Sequence, residues 1–141
     1  MDRAVLLNMV DYRILSVSYD IALLSSRQAV LETAGYLVQS ASDLQDAIEL
    51  LRHREFQLVI VGQDLPEHHQ YELVQKAKLA ACKVLLLTIA TEDTRLSADL
   101  NLDPYDGPYV LLEKVAGLLK RMPEKRPARS AVAGDEQQNL A

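Results

Sequence analysis

The sequence predicts an α/β protein in three αβα layers: a doubly wound sheet of five parallel strands, helices on both faces, and a shortened fourth helix. Three observations predict it. Short runs of leucine and β-branched residues alternate with stretches of helical period along most of the chain, the pattern of successive βαβ units. Residues 58–61 (LVIV) and 83–87 (KVLLL) are apolar throughout or after a leading lysine, as parallel strands covered on both faces are. The 141 residues, 49% hydrophobic and 25% charged, suffice for one domain with its own core and leave no room for a second. Residues 1–122 are assigned to that domain and residues 123–141 to a disordered polar tail.

Residues 13–18 (RILSVS), bounded by Asp20, are the first strand. Residues 21–34 follow as a helix with Leu23, Leu24, Val30, Leu31 and Ala34 near one face. Gly35 is placed to end it in a left-handed cap, which a residue bearing a Cβ resists. Residues 36–41 are the second strand. Ser42-Asp43-Leu44-Gln45 matches a capping box, in which the serine oxygen and the glutamine side chain satisfy free amides at a helix start. Leu44, Ala47, Ile48 and Leu51 then mark the buried stripe of that helix. After the third strand, at 58–61, residues 71–78 make a modest helix that leads to the fourth strand at 83–87. Residues 91–97 allow only about two helical turns, and residues 99–102 a short edge strand. Leu111, Leu112, Val115, Leu118, Leu119 and Met122 form the stripe of the last helix, with Pro108 near its start, where a missing N–H costs nothing. Right-handed crossovers join such strands, and sheets of this kind carry function at the carboxyl ends of their strands.

Charge and composition exclude several classes. Lys120, Arg121, Lys125, Arg126 and Arg129 are five of the 15 basic residues, so the chain before position 120 carries 10 basic against 17 acidic residues, a formal net of −7. Nucleic-acid phosphates repel a body of that sign. The basic cluster, interrupted by Pro123 and Pro127, reads as a solvated part of the tail. Cys82 is the only cysteine, so no internal disulfide forms, in keeping with a reducing cytoplasm. No apolar run approaches the roughly 20 residues of a membrane span, and residues 1–9 lack the cleavage-like site of a secretory signal. Residues 17–24 contain no glycine and no serine stands in a Gly-x-Ser-x-Gly elbow, so neither a dinucleotide enzyme nor such a hydrolase is expected. The chain is read as a protein that is not an enzyme.

Several pieces, weak singly, agree in order and spacing. Ile14 to Val17 leads into an Asp-containing loop; Ala34-Gly35-Tyr36 follows the first helix; Ala41-Ser42-Asp43 comes with Ala47 and Leu50-Leu51. Phe56 to Val61 is followed by Leu65-Pro66, and Leu87-Thr88 ends the fourth strand. Together they resemble a response-regulator receiver domain of two-component signalling, over residues 12–122, which implies a flavodoxin-like fold. Receivers hold Mg²⁺ with two acids after the first strand and a phosphate-accepting aspartate after the third, the metal neutralising the transferring phosphoryl group. In this chain the paired acids fall on Ser18 and Tyr19, leaving Asp20 beside them, and the acceptor falls on Gly62, which has no nucleophile. The switch hydroxyl is kept as Thr88. The family's lysine falls on Asp103 in Asp103-Pro104-Tyr105, and its aromatic switch on Leu100. The resemblance is thus to the degenerate, pseudo-receiver branch, which works without aspartyl phosphate by presenting a protein-binding surface. It implies a cytoplasmic signalling module with no cofactor, whose partner is a signalling kinase, an output protein or a second copy. No nucleic acid is expected on the folded domain, and no membrane.

Other readings stay open. Asp64 is an alternative phosphoacceptor, and equally a turn former before Leu65-Pro66. Asp20, Asp64 and Asp103 are the carboxylates available to a cation such as Mg²⁺, which would make the strand-end pocket a cation or small-ligand sensor; Asp20 also suits a helix cap. Thr88 either holds an anion or satisfies a strand end. The adjacent His68 and His69 have no cysteine nearby and read as exposed loop residues rather than zinc ligands, and Cys82 as a packing residue. Leu96, Leu100, Tyr105 and Tyr109 form the candidate partner surface. The two tyrosines bracket a turn-like Asp106-Gly107-Pro108 and either stand exposed for contact or pack under the last helix.

Overall fold

The computed structural model describes residues 12–88 and 98–120. Strands β1 (Arg13–Val17), β2 (Leu37–Ala41), β3 (Leu58–Val61), β4 (Lys83–Leu87) and β5 (Leu100–Leu102) form one parallel sheet in the order β2-β1-β3-β4-β5. Helices α1 (Ile21–Thr33), α2 (Leu44–His53), α3 (Glu67–Leu79) and α4 (Pro108–Lys120) cover it, and a 3₁₀ turn at Pro104–Asp106 links β5 to α4. This is the flavodoxin-like, doubly wound α/β fold that the alternating pattern predicts.

The side-chain period of two divides each strand between two cores. Leu15, Val17, Val59, Val61, Val84 and Leu86 face α2 and α3, packing with Ala47, Leu51, Leu73, Val74 and Ala77. Ile14, Leu58, Ile60, Leu85 and Leu87 face the other way, against Leu31 of α1 and Leu111, Val115, Leu118 and Leu119 of α4. Strands buried on both sides are apolar at every position, which is why β3 and β4 carry no alternation. Val17 pairs in register with both Ala41 and Val61. The chain therefore leaves β1 and β3 at the same level, setting Ser18 beside Gly62.

Three element boundaries differ from the sequence reading. Helix α3 begins at Glu67 rather than near position 71, because Pro66, with no N–H to lose, serves as its cap. Its first inward residue is the polar Gln70, which hid the opening turn from a search for apolar spacing. His68 and His69 consequently lie on a helix rather than in a loop. The cap of α2 is Asp43 rather than Ser42: the Asp43 carboxylate accepts from the Asp46 N–H at 2.8 Å, and this start turns Ala47, Ile48 and Leu51 inward. Strand β5 begins after Asp99, whose side chain takes over a strand's work by accepting from the Val84 N–H at 2.7 Å while its own N–H donates to the Val84 carbonyl at 2.9 Å.

Helices α1 and α3 end alike. At α1 the Gly35 N–H donates to the Glu32 carbonyl and the Tyr36 N–H to that of Leu31; at α3 the Ala81 N–H donates to Lys78 and the Cys82 N–H to Ala77. This doubled closure needs a left-handed residue, and φ is +96° at Gly35 but +63° at Ala81, where a Cβ must be accommodated. The expected short helix at 91–97, Leu96, Met122 and the tail at 123–141 lie outside the described residues.

Candidate functional site at the strand ends

The carboxyl ends of β1 and β3 meet where the strand order reverses, the place at which open α/β sheets form their crevice. Ser18 leaves β1 with no exposed surface. Its hydroxyl donates to the Asp64 carboxylate, 3.0 Å to Oδ1 and 3.1 Å to Oδ2, and accepts from the Asp20 N–H at 3.1 Å. The Tyr19 N–H donates to Asp64 Oδ2 at 2.7 Å. The loop after β3 thus folds its carboxylate back onto the residues that follow β1.

Gly62 lies under this carboxylate. A Cβ built on it would stand 2.7 Å from Asp64 Oδ1, 2.8 Å from the Val17 carbonyl oxygen and 3.3 Å from Arg27 Nη1. Its N–H donates to Val17 and its carbonyl accepts from Gln70 Nε2 at 3.0 Å, so the backbone is fixed on both sides. Position 62 has no room for a side chain of any kind without movement of Asp64 and of the β1 backbone.

Arg27, Gln63 and Gln70 belong to the site and were not singled out by sequence. Arg27 is only 9% exposed. Its Nη2 donates to Gln63 Oε1 at 2.8 Å, while Nη1 is buried without a partner. Burial pulls the guanidinium below the usual arginine range, opposed by the charges of Asp64 and then Asp20. The signal was available: Leu24, Arg27 and Leu31 are the buried residues of α1, so a cation occupies the middle of an apolar stripe.

The remaining residues are placed apart. Asp20 caps α1, its Oδ1 accepting from the Ala22 and Leu23 N–H groups at 2.9 and 3.2 Å. Asp103 caps the 3₁₀ turn through the Tyr105 N–H at 2.8 Å. The Thr88 N–H donates to the Leu102 carbonyl at 2.9 Å, so this residue ends the β4–β5 ladder. The Tyr19 hydroxyl shares a 2.9 Å hydrogen bond with His69 Nδ1, and burial, followed by the Asp43 and Asp64 charges, raises the phenol above its ordinary value. Leu100 packs partly against the α1–α4 core, whereas Tyr105 and Tyr109 stand 82% and 87% exposed on the turn and α4.

The three acids with which receivers hold Mg²⁺ have no counterpart set among these residues. Among the described residues no group of three or more His, Cys, Asp or Glu side chains converges to hold a metal ion. Asp20, Asp64 and Asp103 do not assemble: two are helix caps, and the third is held by a hydroxyl and an amide at β1. A buried guanidinium already supplies positive charge beside Gly62. Chemically the arrangement can hold a carboxylate in place; it offers residue 62 no nucleophile to phosphorylate.

Solved structures share this architecture. The chain is similar to a response regulator receiver domain protein (CheY-like) from Methanospirillum hungatei JF-1, with 26% identity and a TM-score of 0.69 over 79% of this chain and 95% of that one. It is similar to a two-component response regulator from Clostridium difficile at 20% identity and a TM-score of 0.72, over 81% of this chain and 100% of that one. A Thermotoga maritima response regulator solved in complex with Mg(2+)-BeF matches at 24% identity and a TM-score of 0.65, over 76% and 98% of the two chains. No family model matches the chain, and no curated protein does.

Proposed function

We propose that this chain is a receiver-like module of a two-component or related signalling pathway that acts without aspartyl phosphate, through contact with a protein partner. The receiver-domain neighbours support the signalling role. One observation carries the rest: the Asp64 carboxylate, held by Ser18 and Tyr19, fills the space into which a side chain at position 62 would project. A scaffold whose reactive position is filled retains its surfaces, and Tyr105 and Tyr109 give it an exposed aromatic pair of the kind enriched at interfaces. Leu100 and, outside the described residues, Leu96 are the other residues proposed for that surface. The partner is a signalling kinase, an output protein or a second copy. No described helix is long and apolar enough to cross a membrane, and the assignment to the cytoplasm rests on the pathway.

The test is incubation of the full chain with acetyl phosphate and Mg²⁺, followed by intact mass measurement. The mass is expected to stay unchanged. A stoichiometric phosphoryl adduct that hydroxylamine removes and that is lost in Asp64→Ala would overturn the proposal and make Asp64 the acceptor.

A further inference from the structure

Helices α2 and α3 run back from the carboxyl ends of the strands, so their last turns meet at the other end of the sheet from the strand-end crevice. A groove of about 220 Å³ opens there, lined by Ile48, Leu51 and Arg52 of α2 and by Lys76, Leu79 and Ala80 at the end of α3. Ile48 and Leu51 are buried, whereas Leu79 is 84% exposed and lies off the stripe of Gln70, Leu73, Val74 and Ala77 that α3 turns to the core. The core does not account for a leucine at position 79. Charge gives the groove its character. The chain before position 120 is acidic overall, yet the helix ends bring Arg52, Arg54, Lys76 and Lys78 to this corner against Glu49 and Glu55. Cations in a last turn offset the helix dipole. That explains the cations, but not an apolar groove held between two of them.

We infer that this groove docks a short acidic segment of a protein partner, one large apolar side chain entering between α2 and α3 while carboxylates on either side of it pair with Arg52 and Lys76. Among the described residues no acid stands within ion-pair distance of Lys76. Arg52 is paired with Glu49 at 3.1 Å, but both side chains are more than half exposed, and exposed pairs are weak enough to be exchanged for a partner's carboxylate. Cavities of about 150 Å³ take one benzene ring, so a groove of about 220 Å³ admits one phenylalanine or leucine side chain. The cationic rims on two different helices set the sign of the partner, and the apolar lining sets its anchor. An anionic membrane is the poorer match, because the site is concave and the acidic body as a whole is repelled by such a surface. This site does not depend on Tyr105, Tyr109 or the fate of Asp64.

The test is fluorescence anisotropy of a labelled peptide, Gly-Asp-Glu-Asp-Phe-Glu-Asp-Glu, titrated with the full chain at low salt. Saturable binding with a Kd below roughly 1 mM is expected. Replacing the probe's phenylalanine with alanine, or its acids with asparagine and glutamine, should each weaken binding at least about fivefold, because anchor and charge act together. Arg52→Glu/Lys76→Glu should lose at least about tenfold toward the acidic probe and gain affinity for a probe with lysine at each acid. Both side chains are exposed, so the fold is kept. Lys114→Glu/Lys120→Glu, the same change of net charge on α4, should leave binding within about twofold. Leu79→Ser should lose at least about threefold with an unchanged urea midpoint. Equal binding of the alanine probe would overturn the inference, as would equal losses in the two charge-reversed chains, no saturation, or binding to phosphatidylglycerol vesicles in preference to the probe. A dimer in sedimentation that Arg52→Glu/Lys76→Glu dissolves would also overturn it, by making a second copy the occupant.

Discussion

The Asp64 Oδ1 atom stands 2.7 Å from the point a Cβ on Gly62 would occupy, so in this arrangement residues 62 and 64 cannot both project side chains into the crevice. The glycine is required by space rather than by backbone angle: the left-handed glycines among the described residues are Gly35 and Gly107. Gly62→Ala is expected to destabilise the fold by about 1–3 kcal/mol, the usual cost of overpacking. Adding Asp64→Ala should recover only part of this, because the Val17 carbonyl, at 2.8 Å, is backbone and cannot swing aside. Urea unfolding of the single and double variants measures both quantities; a Gly62→Ala chain as stable as the parent removes the steric account.

The Ser18–Asp64 hydrogen bond ties the two strand ends together, and a double-mutant cycle reads it directly. Ser18→Ala and Asp64→Ala should each cost about 1–2 kcal/mol, Ser18 because its hydroxyl is fully buried. Their coupling energy should fall at about 0.5–1.5 kcal/mol, the range for residues in direct contact. Additive losses would mean that Asp64 is held by the Tyr19 amide alone.

How much of this was legible in the sequence depends on where each residue's chemistry is satisfied. The sheet and its covering helices were, because apolar period records burial, and β3 and β4 are apolar on both faces. That residue 62 carries no side chain was legible too, since a glycine is visible as a letter. What lies over Gly62 was not: Asp64 comes back to β1 through a loop, and nothing in local spacing tells a turn-forming aspartate from one that reaches Ser18, 46 residues away. Arg27 was hidden by its helix, whose ordinary apolar stripe draws attention from the one charge within it. The caps divided similarly. Asp20 was readable as a cap, whereas Asp43 lost to its neighbour Ser42 because both types suit the position and only packing chooses between them.

The end of α3 offers a stabilising change. Ala81 holds φ at +63° to close the helix, the role that Gly35 plays at the end of α1. A Cβ in the left-handed region costs about 1–2 kcal/mol, partly offset by the greater freedom of glycine in the unfolded chain. Ala81→Gly should therefore stabilise by about 0.5–1 kcal/mol in urea, and Gly35→Ala should destabilise by a similar amount. A less stable Ala81→Gly chain would show that the alanine methyl is held by packing.

Alkaline pH should weaken the fold through two tyrosines. Burial raises the Tyr36 phenol, helped by Tyr12, and burial with the Asp43 and Asp64 charges raises that of Tyr19. A raised value means that the folded state holds the proton more tightly than the unfolded chain. The contribution is fully present below about pH 10, the unfolded tyrosine value. It is lost as pH rises through the higher folded values. Urea midpoints should decline as pH rises above about 10, and less steeply in a Tyr19→Phe/Tyr36→Phe chain. Equal slopes in the two chains would place the alkaline sensitivity elsewhere.

Tyr105 and Tyr109 separate recognition from folding more cleanly than any crevice residue. At 82% and 87% exposure they contribute little to the core, so replacing both with alanine should change stability by no more than about 0.5 kcal/mol. Tyrosines that become buried in a complex are among the strongest anchors of protein interfaces. If they are the contact, the double variant should lose at least about tenfold in affinity for whatever the parent chain captures from a lysate of its native host, with unchanged unfolding. Size-exclusion at matched concentrations identifies a second copy as that partner, because only then does the parent elute larger than the variant. Undiminished capture by the double variant would move the interface away from the β5–α4 edge.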